Sequence, residues 1–135
     1  MTLYVCDTHA LIWRLLDDRR LGSAAGAAFD SADAGTATIH IPAVVLAEML
    51  MVAEKQRVAG WTRSEVELLV DAVSGASNYV LTELTPSLVL RSAELTIVPD
   101  IFDRLIATEA IVSGGTLISR DPVFASCNGL ITTWN

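Results

Sequence analysis

Apolar residues fall into two patterns along this chain: short unbroken runs, and longer stretches where they recur every three or four positions. The unbroken runs suit strands buried on both faces, and the spaced ones suit amphipathic helices. LYVC, almost at the start, predicts a central strand. THALIWRLL predicts a helix, with Leu11, Ile12, Leu15 and Leu16 on its apolar side. RRLGSAAGAAFDSADAG reads as a loop, then an alanine-rich helix stopped at Gly35. TATIHI, with β-branched residues at alternate places, is the second strand.

Pro42 fits the first turn of a helix that AVVLAEMLMVAEKQRV continues. After a turn at Gly60-Trp61-Thr62, SEVELLVDAVS predicts a helix with Ser64 as cap and Glu67 completing a capping box. NYVLTEL is a strand, and TPSLVLRSAEL a short helix with Thr85 as cap and Pro86 next. Asp100 is placed to cap IFDRLIATEAIVSG, a helix that Gly114 or Gly115 stops. TLIS, a turn or brief helix at DPVFASCNG, and a last strand LITTW complete the order. Short apolar strands alternating with helices predict a parallel sheet covered on both faces, an α/β fold.

The length of 135 residues suits a single domain, 1–135. Apolar residues make up 52% and charged residues only 19%, so part of the apolar surplus is expected to face a partner. The formal net charge of -7 means that the overall field does not attract nucleic acid; such chemistry would need a cation and a local arginine patch. Cys6 and Cys127 do not make a disulfide scaffold and are expected to be free thiols. No apolar run is long enough to span a membrane, and no basic-then-apolar opening marks a signal peptide, so a cytoplasmic location is expected.

The candidate chemistry lies in four acids far apart in sequence. Asp7 follows the first strand and Asp121 the strand TLIS; Glu48 and Asp103 sit in helices. In an open parallel sheet, ligands bind beyond the carboxyl ends of the strands, where these four residues would meet. Uncompensated carboxylates at one point repel unless a cation holds them. Mg²⁺ or Mn²⁺ takes oxygen ligands and would activate water for attack on a phosphodiester. His9 and His40, the only imidazoles, do not make a zinc site. Arg14, Arg104 and Arg120 are candidates for phosphate contact or for charge balance of the acids. Thr8 is placed to bond a metal-bound water or a ligating carboxylate, or simply to open the helix's first turn, and Trp13, Trp61 and Trp134 either stack on bases or serve as core or partner contacts.

DTHALIW at 7–13, IPAVVLAE ending at Glu48, DIFDRLIATEA at 100–110 and TLISRDPVF at 116–124 occur in that order and spacing. In this the chain resembles the PIN-domain superfamily, and within it the VapC-type ribonuclease toxins. The resemblance implies a three-layer α/β/α sandwich around a mainly parallel sheet. It implies Asp7, Glu48 and Asp103 as core acidic ligands, Asp121 as a fourth, Asp100 as auxiliary and Thr8 behind the first. It further implies Mg²⁺- or Mn²⁺-dependent RNA cleavage, a homodimer, and inhibition by a VapB-like antitoxin. Ile101 and Pro99 depart from the "DPFDR" pattern and its preceding basic residue, and Leu46-Ala47 from the usual Leu-Trp. Those changes spare the acids but remove a cation and an aromatic from the expected groove.

Overall fold

The structure, a computed structural model, describes residues 1–135. Five strands form one all-parallel sheet: β1 (Thr2–Cys6), β2 (Ala37–Pro42), β3 (Tyr79–Thr82), β4 (Thr116–Ile118) and β5 (Thr132–Thr133), in the order β3-β2-β1-β4-β5. The first strand is thus the central one. Six helices intervene: α1 (Thr8–Leu15), α2 (Ser23–Asp33), α3 (Ala43–Glu54), α4 (Arg63–Ser74), α5 (Pro86–Ser92) and α6 (Ile101–Ser113).

The register sorts side chains onto two faces. Tyr4 pairs with Ile39 and Ile39 with Tyr79, whereas Val5 pairs with His40 and Leu117. The Tyr79 hydroxyl donates to Asp33 of α2 at 2.6 Å, which places α2 over the first face. His40 of the second face approaches Glu109 of α6 at 3.7 Å. Helices therefore cover both faces, giving the three layers of an α/β/α sandwich. Val5, Cys6, Ile39, Ile41, Leu117 and Ile118 are wholly buried between them, with Phe29, Met49, Ile106 and Phe124 as the main helix-side filling. No helix is long and apolar enough to cross a membrane. Both cysteines are free and buried.

Several boundaries differ from expectation for local reasons. Pro42 ends β2 and precedes α3, because its fixed φ suits either place and the strand pairing with Thr82 claims it. The cap of α4 is Thr62, not Ser64, and no side-chain bond closes it; Glu67 instead accepts from Arg63 at 3.0 Å. β3 is shorter than NYVLTEL, and β5 pairs over only two residues. β4 ends at Ile118, so Asp121 lies beyond the strand and caps a 3₁₀ turn, Pro122–Ser126. Thr85 and Asp100 cap α5 and α6 as their sequence positions imply, and Gly114 closes α6 in the left-handed conformation.

The chain's last turns are tied back to α2. Ala25 N–H donates to the Trp134 carbonyl at 2.9 Å, and a Cβ on Gly22 would collide with that same carbonyl and with the indole. Gly22→Ala is expected to cost about 2 kcal/mol through forced displacement of backbone. A thermal melt equal to wild type would contradict this packing.

Candidate active-site cleft

The segments that follow β1 and β4, the first turns of α1 and α6 and the second turn of α3 line a cleft of about 720 Å³. Asp7, Glu48, Asp100, Asp103 and Asp121 all line it. Asp7 leaves β1 with its N–H bonded to the Ile118 carbonyl of β4 at 3.2 Å, so sheet pairing fixes its place. Its Oδ1 caps α1, accepting from Ala10 N–H at 2.9 Å, and only one oxygen is used in this way. Asp100 Oδ1 likewise accepts from Phe102 and Asp103 N–H at 2.8 and 3.2 Å, and Asp121 Oδ1 from Val123 N–H at 3.0 Å. Three of the acids thus serve as helix or turn caps through one carboxylate oxygen each.

Glu48 is held differently. The Thr8 hydroxyl, itself buried, donates to Glu48 Oε1 at 2.8 Å and joins α1 to α3. Thr8→Val keeps the shape and removes this donor. It is expected to loosen Glu48 and weaken binding of a divalent cation about tenfold, which a calorimetric titration would check.

Burial and mutual charge act together on three of these groups. Asp103 is pushed up to about 7, first by burial and then by the charges of Asp100, Glu48, Asp121 and Asp7. Glu48 is raised by burial, with Asp100 and Asp7 adding to the shift and Thr8 opposing it. Burial also raises Asp7, against hydrogen bonds from Ser119 and Ala10. None of the five acids forms an ion pair. The donor set is all oxygen, partly buried and unneutralised, which suits a hard divalent cation. As the side chains stand, no three close tightly enough around one point to cage an ion alone.

The arginines divide otherwise than the sequence suggested. Arg14 is turned away from the cleft, bonded to Asp30 and Asp33 of α2 at 2.8 Å each. Arg104 donates to the Val98 carbonyl, bracing the start of α6, and does not line the cleft. Arg120 does line it, and so do Arg20 and Arg57, which sequence reasoning passed over. Asp17 and Gln56, the two non-glycine residues with positive φ (53° and 52°), stand at the chain reversals that precede Arg20 and Arg57. Neither reversal carries a glycine to advertise it. Trp13 and Trp134 form part of the wall, with ring centroids 5.8 Å apart, and His9 lies at the same wall. Trp61 lies elsewhere, buried, its Nε1 donating to the Met49 carbonyl at 3.1 Å.

The PIN domain family model matches residues 4–130. The chain belongs to the PIN domain family. No curated protein matches it. Among solved structures it is similar to VapBC2 from Rickettsia felis bound to a promoter DNA fragment, with a TM-score of 0.71 and 18% identity, covering 99% of this chain and 100% of that one. A toxin–antitoxin complex from Klebsiella pneumoniae gives 0.64 at 21% identity, covering 98% and 97%. DNA-bound VapBC from Salmonella typhimurium gives 0.66 at 15%, covering 98% of each chain. At these identities the likeness is one of fold.

Proposed function

We propose that this chain is a metal-dependent endoribonuclease of the VapC type, the toxin of a pair with a VapB-like antitoxin, acting in the cytoplasm. The observation that carries the reading is a single cleft holding five unpaired carboxylates beside guanidinium groups. Acid and base that do not neutralise each other suit a cation and a phosphate bound together. Likeness in fold to the VapBC and toxin–antitoxin complexes supports the toxin assignment.

Asp7, Glu48 and Asp103, with Asp121, would hold Mg²⁺ or Mn²⁺, and Asp100 would add negative charge from the rim. The bound cation supplies Lewis acidity toward water and phosphate. Thr8 fixes the orientation of Glu48, and the caps made by Asp7 and Asp121 fix theirs. Attack of water in line on phosphorus forms the new P–O bond as the bond to the 3′ oxygen breaks, and that oxygen takes up a proton, leaving a 5′ phosphate and a 3′ hydroxyl. The exposed Leu90, Ile97, Ile101, Phe102 and Val112 of the α5–α6 region supply an apolar surface suited to a second copy, consistent with a homodimer.

The test is incubation of antitoxin-free protein with total RNA, with and without Mg²⁺, followed by mapping of the cut ends. Cleavage that requires the metal and leaves 5′ phosphates supports the assignment. Intact RNA under every metal condition overturns it.

A further inference from the structure

Arg120 follows a peculiar course. It adjoins Asp121 in sequence and lines a cleft with five carboxylates, yet it forms no ion pair with any of them. Its guanidinium carbon lies instead 4.5 Å from the centroid of the Trp13 ring. That indole is 3% exposed, braced edge-on by Trp134, and therefore rigid. A guanidinium held over an indole keeps N–H donors for other partners, and the Arg120 guanidinium makes no hydrogen bond within the protein. Arg20 lies over the same ring at 4.9 Å, but Asp18 grips it through two bonds of 3.0 and 2.8 Å. One indole thus carries two cations, one already neutralised and one unpaired. Arg57 is the other unpaired cation of the cleft.

We infer that Arg120 is the phosphate contact for a single-stranded RNA in this cleft, and that Trp13 is a positioning residue which holds it clear of the neighbouring carboxylates. The inference rests on the ribonuclease reading above and assigns its substrate-binding group. Without the indole, Arg120 would be free to fold onto Asp121 and cancel both charges. With it, the acids remain available to a cation and the guanidinium to an anion. Arg57 provides a second phosphate contact on the same strand. Trp13 accordingly works as a platform for arginine, not for a base. Two unpaired guanidinium groups in a cleft whose carboxylates call for a cation suit phosphates, which a cation can also contact, better than an acidic peptide.

The test uses Asp103→Asn protein with Mg²⁺ and a labelled short single-stranded RNA, with anisotropy read over a salt series. Adding Arg120→Ala is expected to lower affinity about tenfold and to reduce the slope of log K against log salt by about 0.7, the loss of one phosphate contact on a single strand. Arg20→Ala leaves the slope unchanged. Both arginines are exposed, so melting temperatures stay at the parent value. Trp13→Phe, which keeps an aromatic filling, weakens binding while retaining the slope; in the otherwise unaltered enzyme it raises KM and spares kcat. An unchanged slope in Arg120→Ala, or an equal loss in Arg20→Ala, overturns the inference. So does Arg120-dependent binding of an acidic peptide with RNA binding unaffected. Absence of cleavage by wild type would sink the ribonuclease reading alone, since the binding comparison does not use turnover.

Discussion

Asp103→Asn is expected to lose RNA cleavage by at least about 10²-fold, the scale set by removing one preorganised group that stabilises developing charge. Asp103 is the acid that feels all four others, so it stands nearest the electrostatic centre of the cluster. Its carbonyl oxygen survives in Asn, and the helix it sits on is capped by Asp100, so the fold is retained. The metal-free variant should in fact melt higher than wild type at neutral pH. Removing one crowded charge relieves repulsion by about 1 kcal/mol, after allowance for solvent around a half-buried group, or roughly 3–5 °C. Cleavage at the wild-type rate by a preparation free of contaminating nuclease would remove Asp103 from the mechanism.

The second large effect is a pH-dependent response to Mg²⁺. Asp103 binds its proton up to about pH 7 in the folded chain, against a usual value of 3.8. Between those limits the folded state holds a proton that the unfolded chain has released, so stability falls as pH rises through that window. Glu48 and Asp7 are raised as well and act with the same sign. The metal-free protein is therefore expected to melt higher near about pH 5 than near about pH 7.5. Mg²⁺ at about a hundred times its dissociation constant should restore about 2.7 kcal/mol at the higher pH, and much less where protons already neutralise the cluster. Scanning fluorimetry at both pH values measures this. An equal Mg²⁺ response at the two would show that the raised carboxyls are not where the ion binds.

Much of the architecture was legible because buried parallel strands and amphipathic helices differ so plainly in apolar spacing. LYVC read as a central strand, and it is one; Asp100 read as a helix cap, and it is one. The acids were legible for a related reason: Asp7 and Asp121 follow strands, and a parallel sheet sends all such positions to one edge. The sheet does bring Asp7, Glu48, Asp100, Asp103 and Asp121 into one cleft. The cations were not so legible. Arg14 and Arg104 were credible by proximity in sequence, but a helix turns successive side chains through large angles, and each found a nearer acceptor in Asp30, Asp33 or the Val98 carbonyl. Arg20 and Arg57 arrive through reversals at Asp17 and Gln56, whose left-handed backbone no residue-type signal marks. Ser64 failed as a cap because Thr62, two residues earlier, already occupies the extended position from which α4 starts.

The place of β1 in the middle of the sheet bears on when the cutting edge comes into being during synthesis. Its carboxylate emerges from the ribosome early, but the backbone bond that anchors Asp7 runs to Ile118, and Asp121 is made later still. A nascent chain that stalls before β4 consequently owns Asp7, Glu48, Asp100 and Asp103 but lacks both the strand that anchors Asp7 and the fifth acid, Asp121.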